Sequence, residues 1–129
     1  PFGRAQAKLS ANSEPVRVCS LEDILAEKLR ALLQQLIRKR NRPQDVYDIA
    51  SRMRDFRDTV DVAKVSKYLL DKSRARGIAP KKGSYNNEVR AFAAAVYDVE
   101  IKANAKVFIP FDEAWAEVLA LVARLSLPE

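Results

Sequence analysis

The sequence predicts a mainly α fold: about five helices in a bundle-like domain with one or two short edge strands. Apolar residues recur at spacings of three and four in five separate segments, the signature of helices that bury one face. Each segment opens on a residue suited to a helix start: Ser20, Pro43, Asp61, Ser84 or Asp112. Short extended pieces are confined to residues 15–19 and 107–110.

Pro15-Val16-Arg17-Val18-Cys19 alternates and is β-branched, so it reads as a strand whose last residue is an inert buried thiol. Ser20 then caps a helix reaching about Lys39, with acids in its first turn and the run Arg38-Lys39-Arg40 at its end. Its apolar stripe is Leu21, Ile24, Leu25, Leu29, Leu32, Leu33, Leu36 and Ile37. Asn41-Arg42 makes the turn. A second helix runs from Pro43 to about Arg54 on Val46, Ile49, Ala50 and Met53, and the short connection packs the two antiparallel or steeply crossed. A third helix spans Asp61 to about Arg76, with Val62, Val65, Leu69 and Leu70 inward and Gly77 to end it. After a basic loop at 78–83, Ser84 caps a fourth helix to about Ile101 on Val89, Phe92, Ala93, Val96 and Tyr97. Asp112 caps a fifth, to about Leu125, on Trp115, Val118, Leu119, Val122 and Leu125. One domain over 1–129 is expected, with a strand-containing lead-in at 1–19 and a helical region at 20–129.

Composition narrows the chemistry. Hydrophobic residues make 48% and charged residues 31% of the chain, enough apolar content for a core. Histidine is absent, which removes Ser-His and Cys-His nucleophile pairs, histidine bases and histidine metal ligands. The 3 glycines stand alone, so no Gly-rich phosphate loop can be written. One cysteine excludes an intrachain disulfide and suits a reducing compartment. No apolar run approaches the about 20 residues of a membrane span, and no signal peptide is apparent, so a cytoplasmic location without membrane contact is expected. The net charge of +6 favours polyanionic partners. The chain opens without methionine, and a piece of a longer protein is expected.

Lys28 is the anomaly. Leu21, Ile24, Leu25 and Leu32 lie seven, four and three residues before it and four after, so it falls inside the apolar stripe. An ammonium there must reach water or an anion. Snorkelling to solvent answers this, and so does opening into a cleft that binds a phosphate or carboxylate. Asp45 and Asp48 share a face of the next helix. A first-turn dipole contact for Asp45 and an Asp48–Arg52 pair would explain them. A lysine and two carboxylates could instead organise a metal-bound nucleotide, with lysine on phosphate and a carboxylate on the metal or the attacking hydroxyl. Arg38, Lys39, Arg40, Arg42, Arg52, Arg54 and Arg57 form either a contact surface for RNA phosphates or a solvated basic face. Lys72, Arg74, Arg76, Lys81 and Lys82, followed by Tyr85, form a second basic stretch with one candidate stacking ring.

The segment Ser20-Leu21-Glu22-Asp23-Ile24-Leu25-Ala26-Glu27-Lys28-Leu29-Arg30-Ala31-Leu32, followed by Arg42-Pro43-Gln44-Asp45-Val46-Tyr47-Asp48-Ile49, resembles the AbiEii/AbiGii-type nucleotidyltransferase toxins of the DNA polymerase β-like superfamily. That family has a helical lysine followed by an Arg-Asp-x-x-Asp-type element. Lys28, Asp45 and Asp48 match, while Gln44 replaces the arginine and Arg42 lies two residues earlier. The match covers residues 14–55 and resumes at Phe111-Asp112-Glu113-Ala114-Trp115. The family's Gly-Ser and Asp-x-Asp metal motif is not in the sequence, and Ser10 of Ala7-Lys8-Leu9-Ser10 stands where a third acid would be.

The resemblance implies the C-terminal helical remnant of an α+β nucleotidyltransferase. In the parent, Lys28 would contact the nucleotide triphosphate, Asp45 would position or activate the acceptor hydroxyl, and Asp48 would support it. Arg38, Arg40 and Arg42 would contact RNA or phosphate. Mg2+ and NTP would be needed by the parent, with no metal site in this chain. RNA, as tRNA, would be the acceptor, and a bacterial antitoxin protein a partner. The chain alone would be inactive. The alternative is a non-enzymatic basic helical module that binds RNA or a protein. A third reading is that an apolar face bared by the missing sheet drives homodimerisation.

Overall fold

A computed structural model describes residues 19–129 as seven α-helices and one 3-10 turn. The helices are α1 (Leu21–Leu33), α2 (Gln35–Arg38), α3 (Pro43–Phe56), α4 (Val62–Arg74), α5 (Asn87–Ala94), α6 (Tyr97–Asn104) and α7 (Phe111–Arg124), and the 3-10 turn is Lys82–Ser84. The mainly helical class is as the periodicity predicts. The proposed strand at 15–19 lies outside the described residues except for Cys19, which is exposed and not in a strand. The segment Ala7–Ser10 also lies outside them.

α1 packs most extensively on α4 and then on α3, and α3 packs on α7. Leu25, Leu29 and Leu32 of α1, Val46, Ile49 and Met53 of α3, Val65 and Leu69 of α4, and Val118 and Leu121 of α7 belong to one buried cluster. Each such aliphatic side chain contributes about 1.5–3 kcal/mol by leaving water. The Ser20 Oγ accepts from the Asp23 N–H at 3.1 Å, so α1 begins where the sequence predicts. Asp61 caps α4 by accepting from the Lys64 N–H at 3.2 Å, and its own N–H donates to Glu22 Oε2 at 2.9 Å. Gly77, at φ 71, ends that helix region in the left-handed conformation.

Four expectations are corrected. The first predicted helix is two: α1 ends at Leu33, with Gln34 (φ −95, ψ −1) as the cap residue between it and α2. Gln35, 1% exposed, holds the break: its Nε2 donates to the carbonyls of Leu32 at 3.1 Å and Val89 at 3.2 Å. Ile37, beyond the break, is 72% exposed instead of completing the stripe. The fourth predicted helix is also two. Ser84 accepts from the Lys81 N–H instead of capping, and Asn86 caps α5 by accepting from Glu88 and Val89. The chain bends at Val96 (φ −123, ψ 10), and Tyr97 is fully buried, donating to the Ile109 carbonyl at 2.7 Å.

α7 begins at Phe111 with Pro110 as its cap residue, leaving Asp112 inside the first turn and paired with Arg90. Leu121 is buried on α7 while Leu119 is 41% exposed. Finally, residues 107–110 form no strand, as nowhere among the described residues does. The Val107 and Ile109 carbonyls instead accept the hydroxyls of Tyr47 and Tyr97.

Candidate functional site

Helix α1 projects Lys28 toward α3 from between its buried residues. Pro43 at the first position of α3 sets the helical start, which places Asp45 in the first turn and Asp48 one turn later on the same face. The Lys28 ammonium lies 3.2 Å from Asp45 Oδ1 and 2.9 Å from Asp48 Oδ2. The Asp45 side chain is 2% exposed, that of Asp48 19% and that of Lys28 27%. The lysine therefore answers its burial with two carboxylates and keeps a partly open face.

Each remaining carboxylate oxygen has its own donor. Arg42 Nε donates to Asp45 Oδ2 at 2.6 Å, and Gln44 Nε2 donates to Asp48 Oδ1 at 3.0 Å. Arg52 stands 3.9 Å from Asp48, a weak contact for the intrahelical pair expected from spacing. Burial works against the charge on Lys28, but the hydrogen bonds and charges of Asp48 and Asp45 together outweigh it and hold its pKa above the ordinary lysine value. The hydrogen bond to Asp45 likewise raises Arg42. Both cations stay charged at neutral pH.

Two concavities flank this cluster. One, of about 310 Å³, is lined by Cys19, Asp23, Ile24, Glu27, Lys28 and Lys72. Lys72 bridges toward Asp23 at 3.0 Å and Glu27 at 3.9 Å. The other, of about 60 Å³, lies at the α1–α2 break among Arg30, Gln34, Gln35, Arg38, Arg40 and Arg42. Arg42 belongs to both the carboxylate cluster and this second cleft.

The structure thus brings together Lys28, Asp45 and Asp48, and separately gathers Arg38, Arg40 and Arg42. Of the rest of the expected basic cluster, Arg54 pairs with Glu113 and Arg57 with Glu117. Tyr85 is no stacking platform: it is buried and its hydroxyl donates to the Leu29 carbonyl at 2.9 Å. Arg30, Gln34 and Gln35 are unanticipated. Arg30 is held by Glu27 and Gln34, and Gln35 Oε1 accepts from the Arg42 N–H at 2.9 Å. The signal available was a Gln-Gln pair set into an otherwise apolar run, Leu32-Leu33-Gln34-Gln35-Leu36.

Among the described residues, no group of three or more His, Cys, Asp and Glu side chains could hold a metal ion, and no helix is long and apolar enough to cross a membrane. No curated protein and no solved structure matches the chain. A family profile does match, over residues 4–121: the one described as nucleotidyl transferase AbiEii toxin, type IV TA system.

Proposed function

The chain belongs to the AbiEii nucleotidyl transferase toxin family, and from that premise we propose that Lys28, Asp45 and Asp48 form the phosphate- and acceptor-handling side of its nucleotidyl transfer site. A nucleotide substrate and an antitoxin partner go with a toxin of that kind. The observation that carries the residue assignment is the Lys28 ammonium seated on both carboxylates. An ammonium has three N–H donors, so a third is left over for a nucleotide phosphate. The raised pKa keeps it cationic for that purpose. Asp45 helps to position or activate the acceptor hydroxyl and Asp48 supports it. Asp48, 19% exposed against 2%, offers the more open oxygen. RNA, as tRNA, is the proposed acceptor.

Mg2+ supplies charge neutralisation and a polarised phosphoryl group in transfers of this type. The described residues do not fit it. All four oxygens of Asp45 and Asp48 are engaged, by Lys28 twice, Arg42 and Gln44. The 129 residues also contain no Asp-x-Asp. We therefore assign the metal to carboxylates of a parent protein and propose that this chain alone transfers nothing. A homodimer is a separate proposal, supported by Val99 at 78% and Val107 at 68% exposure. A monomer mass by light scattering at every dilution overturns it.

The test uses labelled ATP, CTP, GTP and UTP with tRNA. The purified chain should incorporate no label, and a parent carrying the Gly-Ser and Asp-x-Asp motif should. Lys28→Ala in that parent should abolish incorporation while its far-ultraviolet circular dichroism is kept. Incorporation by the chain alone, or an active Lys28→Ala parent, overturns the proposal.

A further inference from the structure

The second cleft shares only Arg42 with the Lys28 cluster. Arg30, Arg38, Arg40 and Arg42 line it from a stretch of thirteen residues that holds the end of α1 at Leu33, the whole of α2 and the left-handed Lys39 (φ 54). Arg30 is 9% exposed and fixed by Glu27 and Gln34. The Arg42 backbone is fixed by Gln35, and its guanidinium by Asp45.

Arg52, Arg54, Arg57, Arg74 and Arg90 each have an acid partner, whereas Arg38 and Arg40 have none among the described residues. Arg76 and Arg124 also lack one, but they do not line this cleft. Two arginines fixed by neighbours and two with no acid partner among the described residues thus line a space of about 60 Å³, the scale of a single oxyanion. Planar guanidinium groups match phosphate oxygens in pairs, so the residue type fits as well as the charge.

We propose that the cleft formed by Arg30, Arg38, Arg40 and Arg42 is a phosphate-binding site that seats a backbone phosphodiester of the acceptor RNA, apart from the phosphate of the nucleotide at Lys28. This rests on the reading of the chain as part of an RNA-directed transferase. Arg42 couples the two places: the guanidinium that borders the cleft also holds Asp45, so a seated phosphate lies next to the carboxylate that handles the acceptor hydroxyl.

The test is binding, which does not depend on transfer. Fluorescein-labelled tRNA is titrated with the whole 129-residue chain at several salt concentrations, followed by anisotropy. Arg38→Ala/Arg40→Ala should weaken binding at least about tenfold and lower the salt slope by about 1.4–1.8, the release expected for two lost phosphate contacts. Lys64→Ala/Lys106→Ala, removing the same charge from the exposed surface elsewhere, should weaken it less than threefold. ATP and inorganic phosphate distinguish the source of the phosphate: millimolar ATP should not displace tRNA from the cleft. No tRNA binding by the chain, equal losses in the two double variants, or displacement of tRNA by ATP through Arg38 and Arg40 overturns the proposal. Failure of the Lys28 assignment shows elsewhere, as transfer activity surviving in the Lys28→Ala parent.

Discussion

Lys28 Nζ on α1 lies 2.9 Å from Asp48 Oδ2 on α3, and the same ammonium lies 3.2 Å from Asp45 Oδ1. One cation therefore ties two helices together, at the proposed nucleotide site. The two acids do not contribute equally. Asp45 is almost completely buried and faces both Lys28 and Arg42, while Asp48 is partly in water. Removing a charge from a buried pair leaves its partner desolvated, whereas an exposed pair is screened. Asp45→Asn should thus destabilise the chain by about 2 kcal/mol, reduced from the fully buried case because its partners reach solvent. Lys28→Met should cost about 1 kcal/mol and Asp48→Asn less than that. Urea midpoints at constant slope check the order. Asp48→Asn as the most damaging change is the result that contradicts it.

The alkaline limb of stability reports the same lysine. A folded pKa raised above the ordinary 10.5 means that the protonated lysine is favoured by folding. That contribution is complete below 10.5 and is lost as pH rises through the folded pKa. The stability difference between the native chain and Lys28→Met should be level from pH 7 to about 10 and change only above that. Buried phenols add a common background of the same sign: burial raises Tyr85, and raises Tyr97 to about 12. Because both tyrosines are present in both proteins, the difference isolates Lys28. Denaturation at pH 8, 10 and 11.5 measures it, and a difference already changing below pH 9 counts against the ion-paired lysine.

The parts of this arrangement that could be read in the sequence are those set by local periodicity. Lys28 falls inside an apolar stripe, Asp45 and Asp48 share a helical face, and the short connection before Pro43 packs α3 against α1. The helix breaks could not be read this way. Gln34 and Gln35 are acceptable helix residues, and the break follows from a hydrogen bond to Val89, 54 residues away in sequence. The bend before Tyr97 similarly depends on the Ile109 carbonyl. Cys19 and Ile37 are exposed although alternation and helical period place them inward; for Ile37 the period assumes a helix that continues past Gln34, and it does not. The arginine cleft exists only because of such a break, so the sequence shows its charges without its concavity.

Lys39 offers a test of the turn that shapes the cleft. It is the only non-glycine residue with positive φ among the described residues, at 54°. An L-residue with a side chain is strained there by about 1 kcal/mol, while glycine is not. Glycine also gives the unfolded chain more freedom, which takes back part of the gain. Lys39→Gly should therefore stabilise the protein by about 0.5 kcal/mol and raise Tm by a few degrees. Calorimetry checks this, and a lowered Tm would show that the left-handed turn is not the conformation in solution.

Gln35 connects the fold to both candidate sites, and its removal should show in stability and in binding together. Its amide nitrogen donates to two carbonyls, Leu32 and Val89, and its oxygen accepts from the Arg42 N–H. The residue is 1% exposed, so water cannot replace these partners without opening the structure. Leucine matches its volume but leaves the Val89 carbonyl and the Arg42 N–H unsatisfied, at about 1–3 kcal/mol for a buried polar group. Gln35→Leu should lose about 2–3 kcal/mol by urea denaturation, near the upper end because two groups are stranded. Arg42 loses its backbone anchor at the same time, although its side chain keeps Asp45. The variant, measured where it is still folded, should bind tRNA several-fold more weakly through a less ordered cleft. Gln35→Glu discriminates order from charge: it keeps the acceptor for Arg42 but loses both donations and buries an anion, so it should be less stable than Gln35→Leu. Full stability in either variant would mean that the break at Gln34 is held by something other than this side chain.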